Sequence, residues 1–248
     1  MATDPSAAAM PLPEGPHDLR LDLGRRARIG MVEAIWGEHK SQDQIIAALR
    51  GLRRGGETAL VTRLAPERLA PLLEALPSHG LDPAHYRHHG DARCLASDPL
   101  PTPDPGQEPL LILAGGSSDL TVAAEARLAL ACHGVAAELL LDVGVAGLHR
   151  LLDQLETLRR APLLIACAGM EGALPTVVAG LLPQPVIGVP VSVGYGVSAG
   201  GQAALQGMLA SCAPGLCVVN IDNGYGAAMA ALRILRGSAA GGAGHSSA

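Results

Sequence analysis

Five glycine-rich segments have the composition of a site for a phosphorylated ligand. They are residues 115–119, 142–150, 168–172, 194–198 and 220–226. Glycine and serine at the start of a helix leave backbone N–H groups free, and these groups bind phosphate. No segment has the spacing of a P-loop or of the dinucleotide-binding glycine motif. The candidate binding residues are Gly116, Ser117, Ser118, Asp142, His149, Arg150, Gly169, Gly194, Tyr195, Asn220 and Asn223.

The ionisable side chains in these segments are the candidates for catalysis. Glu171 stands alone among apolar residues, so we expect its carboxylate to be desolvated, which favours a role in proton transfer. Asp119 is a second candidate, and the alternative is that it serves simply as a cap for the helix that follows. His149 and Arg150 could bind phosphate or lie on a solvated helical turn.

Cys212 is ambiguous on the residue pattern alone. It follows a helical stretch and precedes the sequence Ala-Pro-Gly. Periodicity favours a buried, inert thiol, and the negative end of a helix dipole disfavours a thiolate. The pattern therefore does not select Cys212 as a nucleophile.

Two N-terminal segments contain clusters of polar side chains. Residues 21–41 hold three arginines and the only tryptophan of the chain. They form either a solvated arm anchored by Trp36 or a segment that binds phosphate or carboxylate, since arginine offers a bidentate fork. The histidines of residues 85–89 have a spacing that suits neither a helix face nor a known metal motif, so no metal site is predicted there.

Composition argues against several classes of function. Charged residues make up 17% of the chain, below the roughly 25% of a typical soluble domain, so we expect a homo-oligomer that covers part of the surface. A net charge of −5 without a basic stripe argues against nucleic acid. Five cysteines without a C-x-x-C pair favour a reducing cytoplasm over structural zinc. Residues 172–221 lack charge, but five prolines interrupt them, so no membrane helix is predicted.

From residue 109 onward, apolar runs alternate with helical patterns. The predicted strands are 109–114, 137–142, 163–168, 185–193 and 216–221, and the predicted helices are 120–133, 145–160, 172–182, 198–211 and 226–235. Such alternation predicts an α/β fold with a parallel sheet of five or more strands, helices on both faces and a flavodoxin-like arrangement. Ligands bind outside the carboxyl ends of such strands, where the glycine-rich segments fall.

A small α/β domain is predicted before this sheet. Ser41 is a suitable N-cap for a helix at 42–52, and a strand at 58–64 and a helix at 66–76 follow. Residues 96–108 contain four prolines and form a predicted linker between domains at 21–95 and 109–237. Residues 1–20 and 238–248 are expected to be disordered tails, the first without a signal-peptide pattern.

Several of these motifs resemble a known family. Residues 115–119 (GGSSD), 148–150 (LHR), 168–175 (AGMEGALP) and 185–190 (PVIGVP) are similar to the carboxyaminoimidazole ribonucleotide mutases of purine synthesis. More specifically, the sequence resembles the LarB family of nickel-pincer cofactor biosynthesis at residues 28–30 (RIG), 37–41 (GEHKS), 208–215 (MLASCAPG) and 220–226 (NIDNGYG). The resemblance covers the chain from about residue 22 to residue 237.

This resemblance implies a substrate and a chemistry. The substrate would be nicotinic acid adenine dinucleotide, carboxylated on its pyridinium ring by carbon dioxide or bicarbonate and hydrolysed at its phosphoanhydride to release AMP. A Cys212 thiolate would add to the ring and make it nucleophilic. Glu171 or a neighbouring acid such as Asp119 would then remove the ring proton. Substrate phosphates and carboxylate would contact an N-terminal group of residues comprising Arg28, Lys40 and Ser41.

The resemblance also implies a metal ion and an assembly. Mg²⁺ would bind the pyrophosphate through Asp222, Asp119 or Asp142, without any prosthetic group. The subunits would assemble as an octamer, which would bury the uncharged stretch.

Two departures from the family patterns bear on function. The purine enzymes carry a proton-carrying His where this chain has Ala173, which argues against purine chemistry. Met31 stands where the LarB pattern has a Pro, which affects only the conformation of the arm. A purine-type ribonucleotide carboxylase or mutase and a non-catalytic nucleotide-binding module remain the alternatives.

Overall fold

The computed structural model describes the backbone of residues 19–242 and the side chains of residues 19–237. Most of the two predicted tails lies outside these ranges. The last helix continues to Gly242, so residues 238–242 are helical rather than part of a disordered tail. At the other end, Leu19 and Leu21 pack against the core of the N-terminal domain.

The N-terminal domain contains a mixed four-stranded sheet. Its strand order is β1-β2-β4-β3, with β1 parallel to β2 and the other neighbours antiparallel. The histidine-rich segment, which has no predicted secondary structure, forms β3. The elements are α1 (Arg25–Ile29), β1 (Ile35–Trp36), α2 (Gln42–Arg54), β2 (Leu60–Thr62), α3 (Pro66–Ala75), β3 (Tyr86–His89) and β4 (Cys94–Ser97).

Helix α2 begins where its N-cap predicts. The Ser41 hydroxyl accepts a hydrogen bond from the backbone N–H of Gln44 at 3.2 Å, and the Gln44 side chain accepts one from the Ser41 N–H at 2.9 Å. This reciprocal pair is a capping box and satisfies two N–H groups that the first helical turn leaves free. The apolar face of α2 packs into the domain core through Ile45, Ile46, Leu49 and Leu52.

Removing this cap should destabilise the protein. We expect Ser41→Ala to lower the free energy of unfolding by about 1 kcal/mol, the usual effect of losing an N-cap hydroxyl. Chemical denaturation measures the change. Ser78→Ala is the matched control, because the Ser78 hydroxyl only donates to the Ala75 carbonyl at an exposed helix end. A Ser41→Ala protein as stable as the unmutated chain would show that the capping box does not stabilise α2.

The C-terminal domain is an α/β fold built on a five-stranded, all-parallel sheet, as predicted. The strand order is β6-β5-β7-β8-β9, the order of flavodoxin-like folds. The strands are β5 (Leu110–Ala114), β6 (Ala137–Leu140), β7 (Leu164–Ala168), β8 (Val186–Pro190) and β9 (Cys217–Val218). The helices are α4 (Leu120–Ala131), α5 (Leu148–Leu152), α6 (Leu155–Leu158), α7 (Ala173–Leu181), α8 (Gln202–Leu209) and α9 (Gly224–Gly242).

Alternate residues of each strand point to opposite faces of the sheet. In β5, Leu110 and Ile112 belong to the core cluster that contains residues of α4 and α9, whereas Leu111 and Leu113 belong to the cluster with residues of α5 to α8. Helices therefore cover both faces, which explains why the strands are apolar throughout.

Some predicted elements are longer than the observed ones. The strand predicted at 185–193 ends at Pro190, and the strand predicted at 216–221 pairs only over Cys217–Val218 at the sheet edge. The helix predicted at 145–160 is split into a 3₁₀ turn, α5 and α6. After β8 and β9 the remaining residues form turns, in which the Val191 N–H donates to the Ala168 carbonyl and the Val219 N–H donates to the Gly188 carbonyl. The helix is interrupted in its middle, where residues 153–154 form a turn between α5 and α6.

The N-terminal domain packs on the face of the C-terminal sheet that carries α4 and α9. Met31, Leu60 and Cys94 are buried in the same cluster as these helices. The Tyr225 hydroxyl donates to the Val32 carbonyl at 3.2 Å, and the Val32 N–H contacts His133 Nε2 at 3.1 Å. Among residues 19–242, no helix combines the length and apolar character needed to span a bilayer.

Candidate functional site

The turns that follow β5, β6, β7 and β8 meet around a cavity at the carboxyl ends of the strands. This cavity, hereafter the turn cavity, has a volume of about 470 Å³. It includes the point between β5 and β7 where the strand order reverses, which is the usual ligand site of such sheets. Its walls are Gly115, Gly116, Ser118, Asp119, Gly144, Val145, Ala146, Arg150, Ala168, Gly169, Met170, Glu171, Ala173, Leu174, Val193, Gly194 and Tyr195.

Glycine is required where these turns approach one another. A Cβ atom on Gly144 would lie 2.5 Å from the carbonyl oxygen of Gly115, and one on Gly169 would clash with the carbonyl oxygen of Val193. The backbones of adjacent turns can therefore contact each other directly. This contact brings glycine-rich turns from separate strands to one cavity.

Asp119 is the buried carboxyl of the turn cavity. It is only 5% exposed, and its Oδ2 accepts a hydrogen bond from the Gly116 N–H at 2.9 Å. Burial raises the pKa of this carboxyl, and the nearby Asp222 carboxylate raises it further, while backbone N–H groups of Gly116, Gly115 and Gly169 oppose the rise. This bond from the Gly116 N–H caps the 3₁₀ turn Ser117–Asp119 that leads into α4, as the capping alternative predicts, although the side chain makes no N-cap bond to α4 itself. Asp119 is therefore a desolvated carboxyl in the lining of the turn cavity.

Glu171 lines the same cavity, but its side chain is more exposed to solvent than the sequence predicts. Its side chain is exposed, so the expected desolvation of its carboxylate is wrong. Glu171 lies on a turn between Met170 and Gly172, both of which have positive φ. This turn directs the chain outward before α7 begins. Apolar neighbours in the sequence therefore did not produce apolar surroundings in space.

Arg150 supplies a positive charge to the turn cavity. Its guanidinium pairs with Asp142 Oδ2 at 2.5 Å, and Asp142 itself has a φ of 60° in the turn after β6. Asp142 thus orients Arg150 and does not line the cavity. His149 is exposed and lies outside the cavity lining, so the two neighbouring residues separate in the structure.

The other binding candidates have different environments. Gly116, Ser118, Gly169, Gly194 and Tyr195 line the turn cavity, and Tyr195 is 77% exposed. Ser117 lies on the same turn as Ser118 without lining the cavity. Asn223 caps α9, because its Oδ1 accepts from the Gly226 N–H at 2.7 Å, and Asn220 Oδ1 accepts from the Ile221 N–H at 2.8 Å.

A second polar cluster lies at the junction of the two domains. The Arg63 guanidinium donates to the carbonyl oxygen of Asp222 at 2.6 Å, and Asp222 Oδ1 accepts from the Ser192 N–H at 2.8 Å. Glu125 on α4 is 6% exposed and accepts from the Tyr225 N–H at 2.8 Å. Burial raises the pKa of the Glu125 carboxyl, whereas the Tyr225 N–H and the Arg63 charge lower it.

Sequence reasoning missed Arg63 and Glu125. A signal for Glu125 was present, because it is one of two charged residues in the otherwise apolar helix α4. A helix that is apolar around most of its circumference is buried, so such a carboxylate needs a partner inside the fold. Arg63 had no comparable signal.

The described residues do not form a metal centre around Asp222. Within residues 19–237, no group of three or more His, Cys, Asp or Glu side chains is placed to hold a metal ion. The Asp222 carboxylate is also occupied by the Ser192 N–H. The predicted Mg²⁺ would be held mainly by the pyrophosphate of the substrate with one or two carboxylates, an arrangement that does not need a preformed group of three protein ligands.

The N-terminal candidates and Cys212 lie apart from the turn cavity. Arg28 is paired with Asp22, Ser41 caps α2, and the Lys40 carbonyl accepts from Arg68. Cys212 lies in the connection that leads to the amino end of β9 and does not line the cavity. Its thiol is exposed, so the buried, inert thiol favoured by periodicity is wrong.

Comparison with known proteins places the two domains in one family. A model described as AIR carboxylase matches residues 109–242, and one described as a LarB/PurE-like N-terminal domain matches residues 17–98. An uncharacterized protein of Methanocaldococcus jannaschii is 38% identical over 211 residues, which cover 84% of this chain and 80% of that protein. The N5-carboxyaminoimidazole ribonucleotide mutase of the same organism is 38% identical over 133 residues, or 51% of this chain and 78% of its own length. The chain therefore belongs to the AIR carboxylase family, as a LarB-type protein with a PurE-like domain.

Proposed function

We propose that this protein carboxylates the pyridinium ring of nicotinic acid adenine dinucleotide and hydrolyses the phosphoanhydride, releasing AMP. The observation that carries the proposal is the buried Asp119 carboxyl in a cavity lined by glycine-rich turns. The LarB/PurE-like N-terminal domain supports this substrate over a purine ribonucleotide. The product would enter nickel-pincer cofactor synthesis, in the reducing cytoplasm that keeps a thiol available.

The proposed carboxylation proceeds through a covalent adduct. Cys212 Sγ⁻ adds to a ring carbon, and the displaced C=N electron pair moves to the ring nitrogen, which gives a neutral enamine. The nucleophilic enamine carbon attacks carbon dioxide and forms the C–C bond. A base takes the proton from that carbon, and departure of the thiolate restores the aromatic pyridinium. Asp119 is the better placed base, because it is buried beside the turns, whereas Glu171 is exposed.

Ligand binding uses the remaining groups of the turn cavity. Backbone N–H groups of the turns at 115–119 and 168–172 would bind the phosphate of the nicotinate half. Arg150, oriented by Asp142, would pair with a ligand carboxylate or phosphate. In this proposal Mg²⁺ would bind chiefly to the substrate's phosphates, since the protein lacks a built metal centre in its described part.

This function requires more than one chain at each site. Cys212 is exposed in a connection that does not line the turn cavity, so the thiol would come from a second copy. Exposed apolar side chains of the C-terminal domain, Tyr195, Val197 and Leu209, offer a surface for such an assembly. We therefore include a homo-oligomer, an octamer by family resemblance, in the proposal.

A purine-type ribonucleotide mutase is the second candidate function. The 38% identity with the M. jannaschii mutase favours it. Against it, the cavity wall contains Ala173 at the position where the purine enzymes carry a proton-transferring His, and His149 lies outside the cavity.

Mass spectrometry of reaction products tests these alternatives. The purified protein is incubated with nicotinic acid adenine dinucleotide and bicarbonate, with Mg²⁺ or with EDTA. We expect AMP and a mononucleotide heavier by one carbon dioxide. An unchanged dinucleotide together with conversion of carboxyaminoimidazole ribonucleotide would establish the mutase function instead. Binding of either ligand without turnover would leave a nucleotide-binding module.

A further inference from the structure

Two further cavities continue from the turn cavity toward the N-terminal domain. The first, the middle cavity, has a volume of about 280 Å³ and shares Ser118 and Val193 with the turn cavity. The second, the Trp36 cavity, has a volume of about 380 Å³ and shares Arg63 and Glu125 with the middle cavity. The middle cavity thus shares lining residues with each of the other two, so the three cavities lie side by side across the domain junction.

The middle cavity carries cationic side chains. Arg63 and Arg93 both line it, together with the carboxyl groups of Glu38, Glu125 and Asp222. Arg63 is engaged with the Asp222 carbonyl at 2.6 Å and lies 3.7 Å from a Glu38 carboxylate oxygen. Arg93 is exposed and forms no ion pair with any of residues 19–237. An unpaired guanidinium between two cavities is suited to a phosphate of a ligand that spans them.

The Trp36 cavity offers a surface for an aromatic ring. The Trp36 indole is 49% exposed, although its Nε1–H donates to Glu38 at 3.3 Å and its ring contacts His39 edge-on at a centroid distance of 4.5 Å. The Arg63 guanidinium lies 5.9 Å from the indole centroid. Such a fixed indole with an exposed face stacks well against a nucleobase.

Two amide groups add polarity to this cavity. Asn220 and Asn223 line it, and the side-chain oxygen of each is bound within its own turn. Neither amide nitrogen has a hydrogen-bond partner within residues 19–237, so both can donate to ring nitrogens. A pyrimidine base has a single ring, so it is smaller than a purine base and would cover less of the indole.

We propose that the Trp36 cavity binds the purine base of the dinucleotide, with a phosphate at Arg93 and the nicotinate half in the turn cavity. This inference rests on the proposed function for the identity of the whole ligand. It assigns the N-terminal domain a direct role in holding the AMP half, through Trp36. The junction between domains is then a substrate-binding surface, and Glu125 and Arg63 form its floor.

AMP binding tests this subsite without any turnover. Trp36 is the only tryptophan of the chain, so fluorescence excited selectively in tryptophan reports on this one side chain. We expect AMP to quench it in a saturable manner. Nicotinic acid mononucleotide and ribose 5-phosphate should leave it unquenched. Quenching by UMP equal to that by AMP, or saturable AMP binding with unchanged fluorescence, would overturn the purine assignment.

Calorimetric titration of variants with AMP supplies the second measurement. Trp36→Ala should weaken AMP binding by about tenfold or more, the effect of losing one base–aromatic stack, whereas Trp36→Phe should retain most of the affinity. Arg93→Gln should weaken binding several-fold and reduce its salt dependence. Arg54→Gln is the charge-matched control, because Arg54 is exposed on α2 and lines none of the three cavities. Equal affinity in Trp36→Ala and the unmutated protein would exclude stacking.

The two proposals can fail separately. Turnover of the dinucleotide by a protein that does not bind AMP at Trp36 would reject this subsite and leave the carboxylase proposal intact. AMP quenching that depends on Trp36, in a protein that does not convert the dinucleotide, would support the subsite and reject the proposed reaction.

Discussion

Cys212→Ser is expected to abolish carboxylation while the protein remains folded. In the proposed mechanism the thiolate is the nucleophile, and loss of a covalent nucleophile lowers kcat by at least about 10³-fold. The thiol is exposed, so replacing it with a hydroxyl should leave the free energy of unfolding nearly unchanged. Product formation by mass spectrometry and thermal denaturation measure the two effects.

Mixing of variants tests whether Cys212 acts on a neighbouring subunit. Cys212→Ser and Asp119→Asn chains are co-expressed with different tags and purified as mixed oligomers. If each site combines Asp119 of one chain with Cys212 of another, random mixing leaves about a quarter of the sites with both native residues, and activity should return to that extent. Activity that stays at the level of the separate variants would show that the two residues do not combine across subunits.

A second exposed cysteine provides the matched control. Cys217 lies at the edge strand β9, is also exposed, and has no proposed role. Cys217→Ser should retain full activity. Equal losses of activity in Cys212→Ser and Cys217→Ser would show that the effect comes from changing the exposed surface and not from loss of a nucleophile. Full activity in Cys212→Ser would exclude Cys212 from the mechanism.

Asp119→Asn should give the second large effect. The amide oxygen can still accept the hydrogen bond from the Gly116 N–H, but the side chain can no longer take a proton. We expect kcat to fall by about 10²- to 10⁴-fold, the usual contribution of a general base. Nucleotide affinity, measured by calorimetry, should change only a few-fold, because the backbone N–H groups that bind phosphate remain in place.

The pH profile separates a base from a structural residue. Burial raises the pKa of Asp119, so the deprotonated form that accepts a proton is populated only above this raised value. The kcat of the unmutated protein should therefore fall as pH decreases through that pKa, and the fall should disappear in Asp119→Asn. Glu171→Gln is the comparison, since Glu171 lines the same cavity but is exposed. A larger loss in Glu171→Gln than in Asp119→Asn would assign the proton transfer to Glu171.

The fold class and the site edge could be predicted because both depend on local patterns. Apolar runs such as Leu110–Ala114, separated by helical periodicity, predict parallel strands covered on both faces. The parallel order then brings the turns after these strands to the same edge, which is where Gly116, Asp119 and Gly169 meet. Chain order alone was enough to place these glycine-rich turns around one cavity.

The environment of single polar side chains could not be predicted in this way. Glu171 has apolar neighbours along the chain yet is exposed, because a turn with positive φ at Met170 and Gly172 directs it outward. Cys212 is exposed although helical periodicity favours burial. Burial depends on which distant segments pack against a residue, and periodicity describes only the element that carries it.

The sequence by itself therefore determined the α/β architecture, the glycine-rich edge and the ionisable residues available there. Only the tertiary structure decided which of these residues are desolvated. Asp119 and Glu125 are buried because turns from other strands and helix α9 close over them, and Arg63 reaches Asp222 from a different domain. These contacts join residues up to 159 positions apart, so no local pattern contains them.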